Sequence, residues 1–166
     1  MRYNPDDTKE SAGAIINCAS QEELERIFSE YGEERMSRRI ALCIVKARKR
    51  REIRTTEELA DIVGRISLKG RIHPATRIFQ ALRISVNNEL YHAERGIQYA
   101  IRLLVPGGRV AVISFHSLED RIVKNLFRSS SHGSVLTKKP VTATPEEVHQ
   151  NPRSRSAKLR AFIKHS

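Results

Sequence analysis

The chain has 166 residues, and 39% of them are hydrophobic, which is enough for one domain or two small ones with a buried core. Its formal net charge of +11 predicts a polyanionic partner. No apolar run approaches the ~18 residues that span a bilayer, and the N-terminus has no signal-peptide core, so no membrane role is predicted.

The two cysteines, Cys18 and Cys43, have neither metal-ligand spacing nor a histidine partner nearby, so no metal site is predicted. Both cysteines fall at apolar positions of predicted helices. We therefore expect two buried free thiols and a reducing, cytoplasmic location.

The first hundred residues predict a series of helices and no convincing strand. Residues 1–13 are expected to be an irregular lead-in. Ser20 is the predicted N-cap of a helix, with Glu23 as its capping-box partner. A second helix is predicted over residues 33–49, and basic side chains occupy its other faces and the residues just beyond it. They are Arg35, Arg38, Arg39, Lys46, Arg48, Lys49, Arg50, Arg51 and Arg54. A solvated helix face is the common explanation for such a run, but this one is more one-sided than solubility requires.

Three further helices are predicted before residue 105. Thr55 or Thr56 is the N-cap of the first, whose apolar residues recur at helical spacing as far as Ile66 and which Gly70 is expected to end. Pro74 fits the first turn of the next helix. The last is predicted over residues 93–104.

The central stretch, residues 106–128, combines a Pro-Gly-Gly turn, an apolar run and an amphipathic helix. Residues 110–115 are apolar at successive positions and rich in β-branched side chains, which predicts a strand buried on both faces of a mostly parallel sheet. Ser117 is the predicted N-cap of the helix that follows, with Asp120 completing a variant of the capping box.

A strand that runs directly into a helix places polar residues at the strand's carboxyl end, where open α/β sheets bind ligands. Ser114, His116, Ser117 and Glu119 occupy this edge, beside helix N–H groups that suit anions. The alternative is that Ser117 and the nearby Asp120 only cap the helix and that His116 only satisfies a loop.

The C-terminal segment predicts two short strands, over residues 134–138 and 157–164, separated by a helix start at Thr144 and a turn at residues 151–152. From residue 151 onward it has five basic residues and no acid, which favours phosphate contact, although an ordinary basic tail is equally compatible with the composition. Two or three strands do not make a covered sheet. We therefore expect an incomplete fold with an exposed apolar sheet edge.

Four segments carry a resemblance to a known family. They are YGEERMSRRIA at residues 31–41, HPATRIFQALRISVNNEL at 73–90, GGRVAVISFHSLEDRIVK at 107–124 and NPRSRSAKLRA at 151–161. Their sequence and order closely resemble the RsmH/MraW family of S-adenosylmethionine-dependent 16S rRNA (cytosine-N4)-methyltransferases. The resemblance covers essentially the whole chain.

The resemblance implies an α/β fold: an incomplete Rossmann-like methyltransferase sheet with an inserted all-helical domain. Residues 14–90 look like the inserted domain, which helps to hold substrate, and residues 91–166 look like the last part of the methyltransferase domain. The family's first strands, its glycine-rich cofactor loop and its ribose-binding acid have no counterpart here, and residues 1–2 look like the middle of a family motif. No cofactor-binding residue is therefore predicted, and the chain alone is expected to be inactive.

In a complete member of the family, position at the strand end and positive charge suggest roles for particular residues. Ser114, His116, Ser117 and Glu119 are expected to line the acceptor side of the pocket, into which the base must leave its stack. Eight residues are candidate contacts for 16S rRNA in the small ribosomal subunit. They are Arg77, Gln80, Arg83, Asn87, Arg153, Arg155, Lys158 and Arg160.

Three hypotheses about this chain stay open at the level of sequence. It is a methyltransferase fragment that cannot bind S-adenosylmethionine alone, half of a split enzyme completed by another chain, or a non-catalytic basic module that binds RNA or the ribosome. The exposed apolar sheet edge predicts self-association or poor solubility.

Overall fold

The computed structural model describes residues 1–3, 10–66, 73 and 75–165. The chain divides into two compact units, Met1–Glu89 and Leu90–Ser166. Residues 4–9 of the expected lead-in, the helix break at Gly70 and the helix start at Pro74 lie outside the described residues. The assignment of the first unit as a domain inserted into a methyltransferase sheet stays a prediction. In the described part of the chain, every helix is too short or too polar to cross a membrane.

The first unit is built from helices whose starts are capped by short polar side chains. Its helices are α1 (Ala12–Cys18), α2 (Gln21–Glu30), α3 (Ser37–Arg48), α4 (Thr56–Gly64) and α5 (Ala75–Asn87). The hydroxyl groups of Ser11, Ser20 and Thr55 each accept a hydrogen bond from a backbone N–H in the first turn. Thr55 also forms a full capping box with Glu58, which decides between the two caps that the sequence left open.

The core of the first unit lies between the apolar faces of these helices. Leu24, Phe28, Ile40, Ile44 and Ile78 are all fully buried. Each such side chain contributes about 1.5–3 kcal/mol by leaving water. Between α2 and α3, Gly32 lets backbones approach: a Cβ there would lie 2.7 Å from the carbonyl oxygen of Phe28 and 2.8 Å from that of Arg77.

Three helix boundaries in the first unit differ from the sequence expectation. The helix α1 begins inside the segment expected to be irregular, because Ser11 caps it. The helix α3 begins four residues later than expected, and Glu33, with φ of 48°, has a left-handed backbone that a helix does not accommodate. The helix α4 ends at Gly64, although Ile66 still packs against the core.

The expectation that both thiols are buried is wrong. Cys18 is exposed and Cys43 is half-buried, and both are free. Cys18 is the last residue of α1, whose inward face is supplied by Ile15 and Ile16. Because Ile15 and Ile16 occupy the inward face of α1, the side chain of Cys18 lies on the outer face.

The second unit combines three helices with a small antiparallel sheet. Its elements are α6 (Glu89–Leu103), β1 (Arg109–Ser114), α7 (Ser117–Ser129), β2 (Gly133–Val135), β3 (Val141–Thr142), α8 (Pro145–Gln150), a 3₁₀ helix (Pro152–Ser156) and β4 (Lys158–Lys164). The strand order is β1-β4-β2, and β3 pairs with β4 as well. The two expected late strands form, as β2 and β4, and so does the helix capped by Thr144, whereas β3 was not predicted and β2 ends earlier than expected.

The strand β4 organises the sheet because each of the other strands pairs with it. Its Phe162 lies opposite Val110 of β1 and Val135 of β2, and it is fully buried. The ring of Phe162 lies 5.3 Å from that of Phe127 on α7, measured between centroids. Ile97 and Ile101 of α6 complete this core.

The prediction of a strand buried on both faces of a mostly parallel sheet is wrong for β1. Every strand pairing in the described part of the chain is antiparallel. Exposure alternates along β1, with Val110 and Val112 packed against the core and Ile113 56% exposed. The chain therefore has helices and a small antiparallel sheet, consistent with an α/β methyltransferase fold.

An apolar surface is exposed along the edge strand β1 and the segment before it. Among the described residues, β4 is the neighbouring strand of β1, which leaves the other edge of β1 unpaired. Leu103, Val105, Ile113 and Phe115 are each more than half exposed. This agrees with the expected exposed apolar sheet edge, whereas self-association through that edge stays a prediction.

Candidate functional site

The candidate site begins where β1 ends and α7 starts. His116, in an extended conformation, is the N-cap of α7, and its Nδ1 accepts the N–H of Glu119 at 3.3 Å. In return, Glu119 Oε2 accepts the N–H groups of His116 at 3.3 Å and Phe115 at 2.8 Å. The prediction that Ser117 caps the helix with Asp120 is wrong by one residue, because Ser117 is already helical and Glu119 is the third helical residue.

The second ring nitrogen of His116 lacks a well-formed hydrogen bond among the described residues. Its Nδ1 accepts a hydrogen bond, so a neutral imidazole carries its proton on Nε2. Nε2 is buried and has no hydrogen-bond partner among the described residues; it lies 3.2 Å from Glu119 Oε1 without the alignment of a hydrogen bond. Glu119 Oε1 is therefore the nearest acceptor for a proton on Nε2, and its poor alignment leaves that proton without a well-formed hydrogen bond.

The carboxylate of Glu119 is stabilised in its charged form. Burial by itself raises the pKa of Glu119, but the interaction with the His116 side chain and the hydrogen bond from the Phe115 N–H together lower it below its ordinary value. The charged carboxylate of Glu119 therefore holds both the backbone N–H groups of the turn and the imidazole of His116 in place.

The other two pocket candidates occupy different surroundings. Ser114 is 3% exposed, and its hydroxyl donates to the carbonyl oxygen of Lys158 at 3.4 Å, so it ties β1 to β4. Ser117, the first residue of α7, is exposed. His116 and Glu119 thus contact each other, whereas neither serine takes part in that pair. Whether any of the four lines an acceptor pocket stays a prediction.

Two of the candidate RNA contacts are held by a carboxylate. Arg160 donates through Nε and Nη2 to Asp120, at 2.6 and 3.1 Å, and Lys158 Nζ lies 3.6 Å from the same side chain. The hydrogen bond from Arg160 is the main reason that the pKa of Asp120 is lowered. Arg160 is 6% exposed, so this bidentate pair fixes α7 against β4.

The remaining candidates divide between internal contacts and open surface. On α5, Gln80 donates to the carbonyl oxygen of Tyr31, Arg83 donates twice to Glu89, and Asn87 donates to the carbonyl oxygen of Met1. Arg77 keeps a side chain that is 55% exposed, with a long 3.9 Å contact to Glu34.

Arg153 and Arg155 lie on the 3₁₀ helix and are exposed. Ser154, between them, is buried, and its hydroxyl donates to the carbonyl oxygen of Asn151 at 2.8 Å. This anchor turns the two guanidinium groups outward on a short, fixed segment. The pair is therefore the most accessible of the predicted C-terminal contacts.

The sequence reasoning missed an aromatic and cationic stripe on α6. The guanidinium carbon of Arg95 lies 5.8 Å from the ring centroid of Tyr91 and 5.0 Å from that of Tyr99. Arg95 also donates hydrogen bonds to both phenol oxygens, and Tyr91 and Tyr99 are 57% and 47% exposed. The spacing of four residues between these three positions was the available signal. Exposed tyrosine and arginine planes are surfaces on which nucleic-acid bases stack.

A strand that ends at a capped helix, within a small antiparallel sheet, is consistent with an α/β methyltransferase fold. The chain belongs to the MraW methylase family, whose profile matches residues 1–165. It is 53% identical over 159 residues to the ribosomal RNA small subunit methyltransferase H of Persephonella marina, covering 92% of this chain and 54% of that relative.

Two further relatives carry the same name. The protein from a Nostoc species is 57% identical, with 90% of this chain and 50% of the relative covered. The protein from Pelobacter propionicus is 51% identical, with coverages of 95% and 58%. The chain therefore spans about half the length of the curated relatives it matches.

Membership of a methyltransferase family implies S-adenosylmethionine as the cofactor. The two cavities described in the second unit, one beside Lys124 and Arg160 and one beside Gln98 and Arg102, exclude the strand end at Ser114. At that strand end, within the described ranges, Nε2 of His116 is a buried nitrogen without a well-formed hydrogen bond.

Proposed function

We propose that this chain forms part of an S-adenosylmethionine-dependent methyltransferase that modifies N4 of a cytidine in 16S rRNA. The observation that carries the proposal is the match of residues 1–165 to the MraW methylase family, with identities above 50% to relatives named for small-subunit rRNA methylation. The proposed architecture is an incomplete Rossmann-like sheet, formed by residues 91–166, with residues 14–90 as an inserted helical domain. Cytoplasmic location stays a prediction.

The proposed role of His116 is to hold the target base. A methyl transfer to an exocyclic amine depends chiefly on the position of the nitrogen, and the base must leave its stack to reach a pocket. The N–H at Nε2 of His116 suits an acceptor atom on the edge of a cytosine, and Glu119 holds the imidazole through the capping box. His116 is then a binding residue and Glu119 a positioning residue.

The proposed RNA contacts are those that remain on open surface. Arg153 and Arg155 suit backbone phosphates, and the stripe of Tyr91, Arg95 and Tyr99 suits unstacked bases. Lys158 and Arg160 act instead by fixing α7 against β4 through Asp120.

A chimaera tests the proposed activity. In the Persephonella marina relative, the portion that this chain matches is replaced by this chain. Methyl incorporation into unmethylated small subunits is then measured with labelled S-adenosylmethionine. We expect incorporation at a cytosine, and a loss of about tenfold or more with His116→Ala, because a positioned hydrogen bond is lost. His149→Ala, which removes an exposed imidazole on α8, is the matched control.

A folded chimaera that binds S-adenosylmethionine without methylating small subunits would contradict the enzymatic proposal. The net charge of +11 favours one second candidate, a non-catalytic basic module that binds RNA. That candidate predicts tight RNA binding by the chain alone, with no gain when the remainder of the relative is added.

A further inference from the structure

A cavity of about 260 Å³ lies beside the C-terminal half of α7. Its other side is formed by the end of β2 and by the segment that follows β2. Phe127 and Val135 contribute its apolar wall, and Phe127 is 1% exposed. Four cationic side chains and no carboxylate line it. They are Lys124, Arg128, Lys138 and Arg160. This cavity is separate from the strand end at His116.

Three of the four charges are uncompensated. Arg160 is paired with Asp120, whereas no ion pair joins Lys124, Arg128 or Lys138 to a carboxylate in the described ranges of the chain. Lys124 and Arg128 are four residues apart on α7 and so share one face of that helix. Lys138 approaches from the segment after β2. Three like charges around one concave surface repel one another unless an anion joins them.

The cavity also offers neutral and directional donors. Thr137 Oγ1 accepts the N–H of Ala161 at 3.0 Å, which leaves its hydroxyl proton to donate to another group. Arg160 uses Nε and Nη2 on Asp120, so its Nη1 group is the part not engaged by that carboxylate. Ammonium, guanidinium and hydroxyl donors on one concave wall match the several acceptor oxygens of a phosphate.

We propose that this cavity binds a phosphate of the RNA backbone. The proposal rests on the proposed function for the identity of the phosphate's carrier. A phosphodiester carries one negative charge shared by two free oxygens, and here it meets Lys124 and Arg128 on one side and Lys138 on the other. None of these three residues stood out in the sequence, because the cavity joins two segments that are separated by a strand.

Binding of a single-stranded RNA dodecamer of mixed sequence tests the site, with the 166-residue chain and a salt titration. Lys138→Gln is compared with Lys139→Gln, which removes the same charge from the exposed neighbour that does not line the cavity. We expect Lys138→Gln to weaken binding at least fivefold and to reduce the magnitude of the salt slope by about 0.7, the value for one phosphate contact on a single strand.

The double variant Lys124→Gln with Arg128→Gln is expected to weaken binding more than Lys138→Gln does, with an unchanged circular dichroism spectrum. Equal losses for Lys138→Gln and Lys139→Gln would mean that only net charge matters, and would overturn the site.

Amine footprinting read by mass spectrometry identifies the carrier without any variant. We expect the RNA dodecamer to protect Lys124 and Lys138, but not Lys139, at concentrations where inorganic phosphate protects none of them. Equal protection by inorganic phosphate at the same concentration would overturn RNA as the carrier. If the chimaera fails to methylate while Lys138 remains protected by RNA, the proposed reaction fails and the phosphate site stands.

Discussion

The two units of this chain bury their apolar side chains to different extents. In the first, the faces of α2, α3 and α5 close on one another, and Leu24, Phe28 and Ile40 are fully buried. In the second, Leu103 is 83% exposed, Val105 is 70% exposed and Ile113 is 56% exposed. Helices satisfy their backbone hydrogen bonds internally, whereas an edge strand leaves donors and acceptors for another strand. The first unit is thus closed on itself and the second is open along β1.

The largest effect is expected from removing the aromatic ring at the centre of the core of the second unit. Phe162→Ala is expected to destabilise the second unit by about 3–5 kcal/mol, because a large buried ring leaves a cavity. Hydrogen exchange, followed segment by segment with mass spectrometry, should show faster exchange in β1, β4 and α7 and unchanged exchange in α2 and α5. Leu24→Ala is the matched variant for the first unit. If either variant speeds hydrogen exchange equally in both units, the expectation that each effect stays within its own unit is wrong.

The ion pair of Asp120 and Arg160 is the next largest test. Asp120→Asn leaves Arg160 buried without a counter-charge and should cost the second unit about 3 kcal/mol at neutral pH. The pKa of Asp120 is lowered in the folded chain, so its contribution is complete above the ordinary carboxyl pKa of about 4 and is lost as pH falls through the lowered value. Urea unfolding between pH 7 and pH 3 should show the difference between the two proteins shrinking towards acid.

A charged side chain on the exposed surface of β1 should weaken self-association through that strand. We expect Ile113→Lys to weaken self-association about tenfold, equal to about 1.4 kcal/mol, because a charged side chain on an edge opposes strand pairing. Sedimentation velocity measures the association. Leu42→Lys, at an apolar side chain 37% exposed in the first unit, is the control. A wild-type chain that is monomeric at all concentrations would refute association through β1.

The smallest expected effects concern helix caps. Thr55→Ala should destabilise the first unit by about 1 kcal/mol, because it removes the side-chain bond to the Glu58 N–H. Ser117→Ala should change stability by less than about 0.5 kcal/mol, since His116 is the cap of α7 and Ser117 is exposed. Thermal unfolding distinguishes them, and a cost at Ser117 equal to that at Thr55 would mean that the cap is assigned wrongly.

Local sequence patterns correctly predicted helix starts and the strand before Ser114. Ser20 and Thr55 cap helices where polar residues precede apolar periodicity, and Thr144 does the same before α8. The run before Ser114 specified a strand, and the order of the motifs specified the family. These predictions succeeded because capping and periodicity act over three or four residues.

Only the tertiary structure decided which residues are free to act. The sequence could not tell that Arg160 is held by Asp120, 40 positions away, or that Lys138 faces Lys124 across a cavity. It also could not assign β1 its antiparallel partner, because a run of apolar residues fits a strand covered on one face or on two. Burial and charge pairing are set by contacts between distant segments, and a linear pattern carries no record of those distances.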